Sequence, residues 1–131
     1  MSYTLEVQSK GSYLHVTVAG KNTATNVASY LAEVREKCIE HRCPNVLIEE
    51  NLQGPSLDIV TIYQIIREGS QRTGAEVRRI ACVDVNPEHR KENMKFAEMA
   101  AFNRGMNVRM FASVSEAEQW LQSGTAANLV G

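Results

Sequence analysis

Apolar and polar residues alternate over 3–8, with Tyr3, Leu5 and Val7 on one side and Thr4, Glu6 and Gln8 on the other. They alternate less regularly over 13–19, where Leu14, Val16 and Val18 face one way. Period two marks a strand with one buried face. Ser9-Lys10-Gly11-Ser12 between them is a short loop with a glycine, so the two segments are predicted to form an antiparallel hairpin. Beyond Gly20 the period becomes helical: Val27, Leu31, Val34 and Cys38 recur at spacings of four, three and four. Asn22, Thr23 and Thr25 are all candidate N-caps for this helix, which is expected to end around His41-Arg42, before Pro44.

The stretch 45–72 organises the rest of the chain. Val46-Leu47-Ile48 reads as a buried strand ending in Glu49-Glu50-Asn51, and Gln53-Gly54-Pro55-Ser56 as a tight turn. A helix starting near Leu57 then carries Ile59, Ile62, Tyr63 and Ile66 on one face, with Ile65 off it. It is expected to stop near Gly69-Ser70 or to run on to Gly74, a natural C-terminal cap. Within 77–85, Ile80-Ala81-Cys82-Val83 suits a strand covered on both faces. Asn86-Pro87 is expected to open the next helix, Asn as its cap and Pro at its first position. That helix carries Met94, Ala97 and Ala101 on one face and is closed by Gly105. A last strand follows at 108–111, then a capping box, Ser113-Val114-Ser115-Glu116, and a final helix with Ala117, Trp120 and Leu121 inward.

The order is therefore β-β-α-β-α-β-α-β-α. It predicts an α/β fold: a mixed, largely parallel five-stranded sheet covered by helices, the first strand an antiparallel edge. A single domain is expected over 1–124, with 125–131 as a flexible C-terminal tail.

At 131 residues such a domain buries enough surface to need no disulfide or metal staple. Fourteen basic and fifteen acidic residues leave a net charge of -1, which gives no electrostatic footprint for nucleic acid. No apolar run is long enough for a membrane span, nor is there an apolar N-terminal signal segment, so a cytoplasmic location is expected. Cys38, Cys43 and Cys82 form no disulfide framework. Cys38, His41 and Cys43 are close in sequence but match no zinc knuckle, so ordinary thiols are expected, with no metal and no cofactor. His15, His41 and His89 are scattered and have no evident catalytic partner.

Glu49, Glu50, Asp84 and Asn86 fall at the ends of two neighbouring strands, the edge at which parallel sheets bind ligands. No His or Cys joins them, no Gly-rich phosphate loop follows, and Glu49 and Glu50 must point to opposite faces. They are expected to be solvated strand ends. Ser56 is placed to cap the helix after it. A phosphate there would add close to two negative charges at a helix N-terminus, which makes Ser56 the candidate for phosphorylation. The third helix spreads Met94, Phe96, Met99, Ala100 and Phe102 around more of its surface than one core face needs, and Met106 and Met110 follow. An apolar ligand or an interface is therefore sought among Ile62, Ile65, Ile66, Met94, Phe96, Met99 and Phe102, between the second and third helices. Arg67, Arg72, Arg78, Arg79, Arg90, Lys91 and Lys95 are interleaved with Glu68, Glu76, Glu88 and Glu92, the pattern of a solvated face.

Two local patterns carry a family resemblance: 46–57, Val46-Leu47-Ile48-Glu49-Glu50-Asn51-Leu52-Gln53-Gly54-Pro55-Ser56-Leu57, and the ending Val108-Arg109-Met110-Phe111 followed by Glu116-Ala117-Glu118-Gln119-Trp120-Leu121. With the element order, they make about residues 3–122 resemble a STAS domain of the SpoIIAA-like branch, the fold of anti-sigma-factor antagonists. That fold is also compared with the CRAL-TRIO lipid carriers. The antagonists carry a phosphorylated serine in an Asp-Ser-Ser-Gly context, where this chain has Gly54-Pro55-Ser56-Leu57-Asp58. The resemblance implies a non-enzymatic binding or regulatory domain acting through a protein partner or self-association. The alternatives are a carrier or sensor of a lipid-like ligand at the membrane surface, and a partner-switch phosphoprotein modified at Ser56.

Overall fold

The computed structural model describes residues 3–72 and 76–130. In order they form β1 Tyr3–Ser9, β2 Leu14–Lys21, α1 Ala24–Glu40, β3 Asn45–Gln53, α2 Ile59–Arg72, β4 Arg79–Asp84, α3 Lys91–Asn103, β5 Val108–Phe111 and α4 Val114–Val130. The strands lie side by side as β1-β2-β3-β4-β5, with β1 antiparallel to β2 and every later pair parallel. Crossovers between parallel strands keep one hand, so a sheet that grows steadily in one direction sends all its connecting helices to one face. Helices α1, α2 and α3 accordingly share a face. Helix α4 follows the last strand and covers the other.

The strand alternation sorts two cores. Leu14, Val16, Val18, Val46, Ile48, Leu52 and Cys82 point toward α1 and pack with Tyr30, Val34 and Cys38. Tyr13, Leu47, Ala81 and Val83 point the other way and pack with Ala117 and Leu121 of α4. Phe111 and Trp120 meet there with ring centroids 5.5 Å apart, and Arg79 lies 5.5 Å over the Trp120 ring. Among the described residues no helix is long and apolar enough to cross a membrane.

Two helix starts differ from expectation. Helix α2 begins at Ile59, because its cap is Asp58 and not Ser56: Asp58 Oδ1 accepts from the Thr61 N–H at 2.7 Å. The Thr61 amide, then its hydroxyl, hold the Asp58 carboxyl below the usual carboxylate range. Helix α3 begins at Lys91 and not at Asn86-Pro87, since Asn86 Oδ1 accepts from the Glu88 N–H at 2.9 Å and closes a local turn instead. Helix α4 extends to Val130. Gly131 and the candidate cap Gly74 lie outside the described residues. The other caps fall among the candidates: Thr23 accepts from the Asn26 N–H at 3.1 Å, and Ser113 from the Glu116 N–H at 3.2 Å.

Helix α2 is the exception to close packing. None of its residues is buried, although it carries Ile62, Ile65 and Ile66. Its main packing is on α1 and α3. Truncation should expose the contrast. Ile48→Ala in the closed core is expected to cost about 3–4 kcal/mol, and Ile66→Ala under α2 about 1 kcal/mol or less, since a wall beside open space has fewer contacts to lose. Urea unfolding of the two variants checks this.

Candidate functional site

The gap between α2 and the sheet is a cavity of ≈ 430 Å³, within the range of roughly 300–1,000 Å³ that holds small ligands. Val27, Leu31 and Val34 of α1, Ile62, Ile65 and Ile66 of α2, and Met94, Ala97 and Ala101 of α3 form its walls. Its floor runs along the strands. Toward their N-terminal ends it is apolar, with Ile80, Val108 and Met110. At the C-terminal ends of β3 and β4 it turns polar, because Glu50 and Asp84 are register partners on adjacent strands and face the same side.

His89 joins them. It is buried, with Nδ1 2.5 Å from Asp84 Oδ2 and Nε2 2.9 Å from the Gly54 carbonyl. The contact with the carbonyl oxygen requires a proton on Nε2. The amide nitrogens of Asn22 and Asn86 are farther from Nε2, at 3.4 Å, and each has a carbonyl acceptor at 2.8 Å. A second proton must lie between Nδ1 and Oδ2, where two lone pairs would otherwise meet. Whichever of the two atoms holds it, the pair is neutral overall. Asp84 Oδ1 accepts from the Asn86 N–H at 3.0 Å.

Glu50 has no such partner. Tyr30 of α1 donates its hydroxyl to Glu50 Oε2. Among the described residues nothing bonds Oε1, and Glu50 lines the cavity. Burial, and then the neighbouring Asp84, push its carboxyl up to about 7, against the opposing pull of the Tyr30 bond and His89. Burial also holds the Tyr30 hydroxyl and the Cys82 thiol in their protonated forms, well above their usual values.

The loop that enters α2 is fixed over this polar end. The Gly54 carbonyl accepts from His89, the Pro55 carbonyl from the Asn22 amide at 2.8 Å, Ser56 Oγ from the Arg90 N–H at 2.8 Å, and the Leu57 carbonyl from the Asn93 amide at 2.8 Å. Farther along, Arg104 donates to the Tyr63 hydroxyl at 2.7 Å and ties α3 to α2.

These positions revise the expectations in particular ways. Glu50 and Asp84 are not solvated strand ends, and a histidine does join them. Glu49 points to the opposite face and bonds His15 Nε2 at 2.9 Å. Ile62, Ile65, Ile66 and Met94 line the cavity, whereas Phe96, Met99 and Phe102 do not. Met99 and Phe102 are 62% and 75% exposed on the outer surface of α3. The cavity also draws a third wall from α1, which the spacing of the second and third helices alone did not indicate. His89 and Tyr30 were missed. The available signal was the sequence Asp84-Val85-Asn86-Pro87-Glu88-His89, in which a turn after a strand returns a histidine to the strand's last carboxylate.

No protein-family profile matches the sequence, and no curated protein does. Solved structures do match. An anti-sigma factor antagonist from Mycobacterium paratuberculosis aligns over 92% of this chain and 95% of its own, at 14% identity and a TM-score of 0.54. An uncharacterised protein with a SpoIIAA-like fold from Shewanella loihica PV-4 aligns over 92% and 94%, at 12% identity and a TM-score of 0.54. The fold is SpoIIAA-like. On that SpoIIAA-like frame, the polar cluster sits where parallel strands end and the next helices begin, the usual ligand edge of such sheets.

The cluster has a pH signature. Folded, Glu50 keeps its proton up to about 7; unfolded, it loses it near 4.5. The folded state binds more protons across that window, so the stability owed to Glu50 is full at acid pH and declines as pH rises through it. Glu50→Gln removes the charge and keeps the shape. Its stability should match the parent near pH 4.5 and exceed it by up to about 3 kcal/mol near pH 8. Urea unfolding at the two pH values checks the prediction.

Proposed function

We propose that this SpoIIAA-like domain binds a small amphipathic molecule, its apolar body under α2 and its polar end at Glu50. One observation carries this: a preformed apolar cavity lined at its polar end by Glu50, whose carboxyl is bonded at Oε2 alone among the described residues. A cavity of this size in a small domain forfeits packing energy, so an occupant that fills it restores contacts the fold itself lacks. The role is a binding one. Both ring nitrogens of His89 are engaged by protein groups, which leaves no imidazole to exchange protons with a ligand. The likeness to an anti-sigma factor antagonist supports a regulatory use, in which occupancy is sensed on the outer surface of α2 and α3.

A second role, contact with a protein partner, is favoured by Val60 and Tyr63 on α2 and Met99 and Phe102 on α3, all exposed. Ser56 lies in the loop leading into that surface, with Oγ at the start of α3, where a phosphate would meet a helix N-terminus.

The ligand role is tested by native mass spectrometry of protein purified without refolding. A non-covalent molecule should accompany the parent chain and be absent from Ala97→Phe, whose ring fills the cavity. Parent and variant that are equally bare under every mild condition would overturn the proposal. Phe102→Asp should leave occupancy unchanged, because Phe102 is outside the cavity.

A further inference from the structure

We infer that the polar end of the cavity receives an uncharged oxygen head group, a hydroxyl or a carbonyl, on an otherwise apolar molecule. This rests on the binding role proposed above and narrows it to a ligand class.

The charges at this end leave none over for a ligand. The His89–Asp84 pair is neutral as a unit, and its polar atoms are taken: Nδ1 and Oδ2 by each other, Nε2 by the Gly54 carbonyl, Oδ1 by the Asn86 N–H. The groups facing Glu50 are Tyr30 from α1, Cys82 and Asp84 from β4, and His89 from the loop after β4. Tyr30 and Cys82 keep their protons. What remains is Oε1 of Glu50, which near neutral pH belongs to an acid that is in large part protonated. With Tyr30 donating to Oε2, the protonated carboxyl offers one donor, on Oε1, toward the cavity. One donor at the end of an apolar chamber fits one acceptor oxygen.

Charged heads fit less well. A carboxylate or phosphate would be placed against Glu50 and Asp84. The cations that line the cavity are at its rim: Arg35 is paired with Glu76 at 2.7 Å, and Arg72 and Arg90 are exposed, where water and salt screen them. An ammonium would have to ionise Glu50 beside Asp84 and give up its own hydration in an apolar chamber, a cost that a single ion pair seldom recovers.

Calorimetric titration of the full chain with decanol, decanoate and decylammonium separates the classes, because the three share one apolar tail. Decanol should bind at about pH 6 at least tenfold more tightly than either ion. Decan-2-one, which can only accept, should lose affinity by about tenfold per pH unit once Glu50 ionises above about 7, whereas decanol can turn its own O–H to the carboxylate. In Glu50→Gln the amide still donates, so decan-2-one should bind with no such fall. In Glu50→Leu the preference among the three heads should vanish. Tighter binding of decanoate or decylammonium, lost in Ala97→Phe, would overturn the head-group inference while leaving the cavity as the binding site. Failure of all three to bind the parent chain would overturn both.

Discussion

The arrangement above the sheet depends on how four consecutive residues between β3 and α2 are held. Gly54, Pro55, Ser56 and Leu57 each accept a hydrogen bond from a different residue: His89, Asn22, Arg90 and Asn93. Three of these acceptors are backbone carbonyls, which must be satisfied by something, and the fourth is the Ser56 hydroxyl; all four partners come from segments distant in sequence. The loop is thereby tied to the α3 N-terminus, and α2 starts from there. With Arg104 holding Tyr63 farther along, α2 becomes a roof supported by α1 and α3. The cavity beneath is a consequence of this suspension.

The hollow then sets the electrostatics. Glu49 and Glu50 are adjacent and chemically identical, yet the strand turns one to a half-exposed histidine and the other into the chamber. Glu50 loses water, and Tyr30 and His89 offset only part of that cost, so its proton is retained up to about 7. Asp84, its neighbour across the ladder, has the histidine instead. The two carboxylates share one site because their environments have separated their roles: one is locked in a neutral pair, and the other is left to respond to whatever enters.

Much of this was legible in the sequence. Period-two alternation, short apolar runs, spacings of three and four, and a capping box located the described strands and helices, and their order implied the parallel sheet and its antiparallel edge. Ile62, Ile65, Ile66 and Met94 were recognisable as lining because their helices carried more apolar surface than a core face requires. Phe102 and Met99 carried the same surplus and proved to face outward. A helical period gives the angle between side chains but not which excess residue meets a neighbour. The cap of α2 was misplaced by two residues because Ser56 and Asp58 are both good caps, and what decided between them was Arg90, which lies far along the chain and claims the serine hydroxyl. His89 was legible only in half: the turn after β4 returns it to Asp84, but its bond to the Gly54 carbonyl of the β3–α2 loop exists only once the sheet is assembled.

The cores that hold the fold and the chamber that gives it chemistry are largely separate. Stability comes from β2, β3 and α1 on one face, and from β3, β4 and α4 on the other, while α2 contributes no buried residue. Residues under α2 can therefore change without loss of the sheet. Neighbours at 14% and 12% identity keep the same frame, as expected when patterning alone is enough to specify it. For the same reason the frame does not dictate what is bound. That is decided by the few side chains at the closed end of the chamber, where one carboxyl oxygen of Glu50 is left without a protein partner among the described residues.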